Sequence, residues 1–268
     1  MGLVEDSIVG LADEVTLNPD LVTSNAQMYG QAIIKNRDLI DDMEAVEQML
    51  YEISGYGKWQ QRIYLLSLCA YFSCKSKYLL EMICYINNNF DNISLSALLY
   101  ICNQIGNITF LYPEMLCNDL FTERWKLYDR IMDRYASFFD NELQPIGDSN
   151  LNKDFVIVFT EQFLNTLHGP TKSTLDRAKI IIEKMGKQVL IVNTAELDSY
   201  IGQIPFCNSL DANYNPELSA LDKVEWKGLN IPYFQCDNNM PEISTIYSLL
   251  SMVKKIKPSF AISVGGVE

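Results

Sequence analysis

The stretch with the greatest capacity for chemistry is Glu161-Gln162-Phe163-Leu164-Asn165-Thr166-Leu167-His168-Gly169-Pro170-Thr171-Lys172-Ser173. His168 is the only histidine in the chain. Imidazole titrates near neutrality, so it can take a proton from a reacting group or hand one over. Thr171 or Ser173 can cap a helix that follows, and the free N–H groups at such a helix start attract an anion. The same residues also suit a plain loop, in which His168 only packs or caps. A second candidate is Gly265-Gly266. It could be a tight turn or a place where backbone comes close to a ligand. Asp237 could face the same cleft, although a solvated loop carboxylate is the simpler reading.

Other chemistries lack their signatures. No G-x-G-x-x-G or G-x-x-x-x-G-K-[ST] follows an apolar run, which argues against a dinucleotide dehydrogenase and a P-loop NTPase. No Gly-x-Ser-x-Gly marks a serine nucleophile. The cysteines are Cys69, Cys74, Cys84, Cys102, Cys117, Cys207 and Cys236, with no C-x-x-C pair. With a single histidine, they do not make a zinc site. Most lie among apolar residues and read as reduced core thiols of a cytoplasmic protein. The N-terminus has no basic stretch leading into an apolar one, and no apolar run reaches the length of a membrane span.

The elements that must position His168 are legible around it. Phe155-Val156-Ile157-Val158-Phe159 is a continuous apolar run, as a strand buried on both faces requires. Residues 174–185 have Leu175, Ala178, Ile182 and Met185 on one helical face, closed by Gly186. Val189-Leu190-Ile191-Val192 is a second buried strand. Strand, helix and strand in that order make a parallel βαβ unit. After a polar excursion over residues 196–222, Ile231-Pro232-Tyr233-Phe234-Gln235 is a shorter extended run. Its proline points to an edge strand or a strand start. Pro241 opens a helix with Ile243, Ile246, Leu250, Val253 and Ile256 on one face. Lys254, Lys255 and Lys257 suit its negative end, and Pro258 stops it. Phe260-Ala261-Ile262-Ser263-Val264 is a last strand, so four strands are expected.

The front of the chain differs. Residues 1–150 carry 10 Lys and Arg against 21 Asp and Glu, while residues 151–268 carry 11 against 13. An acidic front half repels phosphates, so nonspecific nucleic-acid binding is not expected. Apolar stripes at helical spacing recur: Leu39/Met43/Val46/Leu50, Tyr64/Leu68/Tyr71/Phe72, Leu79/Met82/Ile83/Ile86, Leu95/Leu98/Leu99/Cys102 and Trp125/Tyr128/Ile131/Met132/Tyr135. Breaks are expected at Gly55-Tyr56-Gly57, Asn87-Asn88-Asn89 and Gly106-Asn107. The fold class is therefore α plus α/β. An all-helical domain over residues 1–145 precedes a parallel-sheet α/β domain over residues 154–268, with a polar linker between them.

The run from the first strand through Gln162-Phe163-Leu164 and His168-Gly169-Pro170-Thr171 into a helix resembles the start of a GT-B glycosyltransferase. The closing Lys257-Pro258-Ser259-Phe260-Ala261-Ile262-Ser263-Val264-Gly265-Gly266 resembles the strand and glycine turn of the N-terminal Rossmann-like half of such enzymes. The likeness is to bacterial cytosolic members that carry a helical domain ahead of the GT-B core, protein-modifying enzymes among them. It implies an acceptor-side half and a donor-side half with a cleft between. His168 would be a base or a donor contact. Gly169, Pro170, Thr171, Gly265 and Gly266 would line the substrate site. No metal is implied, and the donor would be a nucleotide sugar, with no cofactor held by this chain. The acceptor would be a protein or a saccharide. Only the acceptor-side half is present, so a truncated, inactive piece is expected, completed by a missing C-terminal half or a partner chain. The competing function is a non-enzymatic protein-interaction module built on the acidic helical domain. A third reading, a flavodoxin-like or other small-ligand sensor, would need a complete five-stranded sheet.

Overall fold

The computed structural model describes residues 59–139, 146–164, 166–195, 218, 220–236 and 242–264. The chain divides into two compact units, residues 1–133 with 200–210 and residues 134–199 with 211–268. The stripe from Leu39 to Leu50 and the break at residues 55–57 lie outside the described residues, as do Asp237, Pro241, Gly265 and Gly266.

The first unit is helical where it is described. Helix α1 (Trp59–Ser73) packs on α2 (Ser76–Asn88). Leu79, Met82, Ile83 and Ile86 of α2 are all buried, as their spacing predicts. The expected break at Asn87-Asn88-Asn89 ends α2, but the one at Gly106-Asn107 does not exist. Helix α3 (Leu95–Leu111) runs straight through it. A mid-helix glycine costs about 1 kcal/mol relative to alanine. Its neighbours Ile105 and Ile108 are buried, and that burial outweighs the cost. The last stripe is also rotated. Helix α4 (Asn118–Phe138) buries Leu120, Arg124, Leu127, Ile131 and Tyr135, while Trp125, Tyr128 and Met132 are half-buried. Arg124 fits in this row because its Nε donates to the Cys102 carbonyl at 3.2 Å. Its guanidinium also lies 5.5 Å from the Trp125 ring centroid.

The six described cysteines are free thiols. Cys69, Cys102 and Cys236 are buried, but Cys84 is exposed and departs from the core reading. Burial pushes the Cys69 thiol up to about 12 and Cys102 up to about 11, the latter against the pull of Arg124. Because the thiolate is the nucleophile, iodoacetamide at mildly alkaline pH should alkylate Cys84 well before Cys69 or Cys102. Peptide-level mass spectrometry reads this directly, and equal labelling of the three would contradict the helical packing.

The second unit is a sheet with helices. Its strands are β1 (Asn152–Thr160), β2 (Gln188–Asn193), β3 (Lys223–Trp226), β4 (Leu229–Gln235) and β5 (Pro258–Val264), in the order β3-β4-β2-β1-β5. β4, β2, β1 and β5 run parallel, and β3 is antiparallel to β4. The four parallel strands are those expected, and β3 is additional. It forms a hairpin with β4 through Lys227 and Gly228, both at positive φ (49° and 82°). Such a turn matches the twist of the paired strands. β4 is an interior strand, not an edge. Pro232 is accommodated because its nitrogen points away from β3, and the ladder to β2 starts one residue later, at Tyr233. The neighbouring Tyr233 N–H points the other way and donates to the Asp222 carbonyl at 2.9 Å.

Helix α5 (Gly169–Met185) links β1 to β2 and starts five residues earlier than its apolar face suggests. It ends at Gly186 in the left-handed conformation (φ 64°), as expected. Leu175, Ala178 and Ile181 pack on Val156, Val158, Val189, Ile191, Ile231, Tyr233 and Val264, which form one face of the sheet. Helix α6 (Ile243–Ile256) links β4 to β5 and has no fully buried residue. No helix among the described residues is long and apolar enough to cross a membrane.

Candidate functional site

The sheet order determines where a crevice can open. From β1 the chain crosses through α5 to β2 on one side, while β5 pairs with β1 on the other. At such a reversal the connections leaving adjacent strands part, and ligands of open α/β sheets sit beyond the carboxyl ends there. β1 ends at Thr160 opposite Val264, the last residue of β5. The loop carrying His168 leaves from the first of these strands, and Gly265-Gly266 follow the second.

The loop after β1 is held in steps. Thr160 Oγ1 donates to the Gln162 carbonyl at 3.0 Å. Phe163 is buried, its ring 5.0 Å from that of Tyr233. The Leu164 N–H then donates to Thr171 Oγ1 at 2.9 Å. Thr171 is wholly buried, so this bond ties the loop to the first turn of α5. Thr171 is therefore not the cap that its residue type suggests. The N-cap position belongs to His168, whose side chain makes no capping bond. Gly169 and Pro170 open the helix. A Cβ on Gly169 would meet nothing within 4 Å, so the space beside it is open. Leu167 is 94% exposed.

His168 Nδ1 lies 2.9 Å from the same Thr171 Oγ1. The Leu164 N–H occupies one lone pair of that oxygen, and the hydroxyl proton is free to point at Nδ1. That assignment satisfies a buried hydroxyl and puts the ring proton on Nε2. Partial burial lowers the histidine pKa below its usual 6.5, so the neutral ring dominates at neutral pH. In this state Nε2 presents an N–H donor. Nε2 can accept a proton only if Nδ1 takes one and donates it to the second lone pair of Thr171 Oγ1. Thr171 can partner either tautomer.

Behind the loop is a row of buried polar side chains that the sequence reading missed. Thr160, Asn193 and Gln235 each close a parallel strand and lie side by side in register. Asn193 Nδ2 donates to Gln235 Oε1 at 3.0 Å, and the Tyr233 hydroxyl donates to the same oxygen at 2.8 Å. The available signal was that each apolar run ends in one polar residue: Thr160, Asn193, Gln235. Among the described residues no three His, Cys, Asp or Glu side chains come together in a way that could hold a metal ion.

Compared with protein-family models, with curated proteins and with solved structures, the chain has no match.

Proposed function

We propose that this chain is the acceptor-side part of a nucleotide-sugar-dependent glycosyltransferase of GT-B type, with its Rossmann-like half over residues 154–268. The observation that carries the reading is the position of His168. The only histidine occupies the N-cap position of α5, on the loop that leaves β1 where β1 and β5 end together, and its Nδ1 lies 2.9 Å from Thr171 Oγ1. His168 contacts the reacting hydroxyl or a donor oxygen. On this reading Gly169 and Pro170 line the crevice, as Gly265 and Gly266 after β5 would. The open space beside Gly169 leaves room for a ligand, and the wholly buried Thr171 acts only through His168. The donor-binding half comes from a further segment or from a partner chain, and the acceptor is a protein or a saccharide.

The test assays sugar transfer from a panel of labelled nucleotide sugars by the complete natural protein, with any partner subunit present. Transfer is expected. The reading fails if neither the continuing reading frame nor a partner holds a second Rossmann-like half and no sugar is transferred. His168→Gln keeps an N–H donor and removes the base. If His168 is the base, turnover falls by about a hundredfold to ten-thousandfold. If it is only a contact, the loss appears mainly in KM.

One observation favours the interaction module instead. Phe110 is 81% exposed, and Leu116 and Phe121 are each 52% exposed, all within the acidic helical unit. On that reading the full chain binds a defined protein, Phe110→Ser abolishes the binding, and transfer is never seen.

A further inference from the structure

The face of the sheet opposite α5 is only partly covered. Side chains alternate along β4, so Tyr233 turns into the α5 core and Phe234 turns to the other face, where its side chain is 44% exposed. A pocket of about 310 Å³ lies there, between the end of β4 and one flank of α6. Phe234, Cys236, Ser244, Thr245, Ser248, Leu249 and Met252 line it, and none of them belongs to the His168 loop.

Its chemistry is graded. The five α6 residues form a single stripe along the helix, distinct from the stripe of Ile243, Ile246, Leu250 and Val253. The three hydroxyls, on Ser244, Thr245 and Ser248, are at the end near the strand termini. Ser248 donates to the Ser244 carbonyl at 3.0 Å, which leaves its oxygen able to accept. The hydroxyls of Ser244 and Thr245 make no hydrogen bond among the described residues. Farther along the stripe Leu249 and Met252 replace hydroxyls with apolar surface, and Phe234 lines the same pocket. Among the described residues no charged side chain lines the pocket. Its volume is at the lower end of that of small-molecule sites.

We propose that this pocket binds a small uncharged amphiphile. Its hydroxyl-bearing head meets Ser244, Thr245 and Ser248, and a short apolar tail lies against Leu249, Met252 and Phe234. A charged head is disfavoured because no counter-ion among the described lining residues faces it. A head without a tail leaves the apolar end wet. The inference does not depend on glycosyl transfer.

The test uses the full chain with methyl-labelled methionine and follows the Met252 methyl resonance. Glycerol monohexyl ether is the probe, with glycerol and hexanoate as head-only and charged-head controls. The ether should shift the Met252 signal saturably, and both controls should bind at least about tenfold more weakly, glycerol because it lacks the buried methylenes and hexanoate because its carboxylate gives up hydration without a counter-ion. Ser248→Trp fills the pocket from an exposed helix position and should weaken ether binding by about tenfold or more. Leu249→Ala should weaken it less and leave the hydroxyl end intact. The proposal is overturned if the ether gives no saturable shift, if hexanoate binds equally well, or if Ser248→Trp binds the ether as the parent does while keeping the parent's circular dichroism.

Discussion

Ile191→Ala should cost the α/β unit about 2–5 kcal/mol, the usual range for truncating a buried isoleucine to alanine. Ile191 is fully buried in β2, between Val158 of β1 and Tyr233 of β4, beneath α5. Neighbours on three sides are fixed by strand pairing, so the cavity left behind cannot collapse easily. A domain's whole stability is about 5–15 kcal/mol, so a loss at the upper end would unfold a large fraction of molecules. Urea unfolding monitored by circular dichroism measures the change. Ile180→Ala on the outer side of α5 is the matched control. That side chain is 56% exposed, and its loss should move stability by no more than about 0.5 kcal/mol. If the two variants are equally destabilised, the α5 face of the sheet is not the core described.

The contrast between these two isoleucines explains what the sequence could and could not reveal. β1 and β2 are legible because their central residues on both faces, Val156, Ile157, Val158, Ile191 and Val192, are buried, which leaves unbroken apolar runs. β3 is not legible. Lys223-Val224-Glu225-Trp226 buries only Val224 fully, and the turn that pairs it with β4 places a lysine at positive φ where glycine or asparagine is the usual signal. Pro232 misdirects for a related reason. A proline excludes a strand interior only where its nitrogen faces a partner, and that depends on register, which no local pattern records. Gly106 misdirects because a glycine's cost is local while the burial that offsets it is tertiary. His168 is legible as a loop residue after a buried strand. That its loop leaves β1 next to the end of β5 follows from strand order, which the sequence leaves open. The bond between Thr171 and the Leu164 N–H spans seven residues and a loop, so residue type suggested only a cap.

Thr171→Val is the sharpest test of that bond. Valine keeps the shape and removes the oxygen, so packing stays close to native. The Leu164 N–H loses its acceptor, and His168 Nδ1 loses its partner. Leu164 is only half-buried, so water can replace part of the bond, and the cost should be about 1 kcal/mol, the low end for an unmade hydrogen bond. The larger consequence falls on the imidazole, which loses the partner that holds its orientation. Its pH behaviour reports this. Burial lowers the folded-state pKa of His168. The unfolded chain therefore binds the proton more readily, and this residue's contribution to stability is present above pH 6.5 and is lost as pH falls through the folded value. His168→Gln should remove that acid-side loss without changing stability near neutrality. In Thr171→Val the His168 ring resonances, followed by NMR through a titration, should move their midpoint toward the ordinary value as the loosened loop admits water. An unchanged midpoint in the valine variant would mean that Thr171 does not hold the histidine, and the oriented imidazole on which the proposed chemistry depends would have to be abandoned.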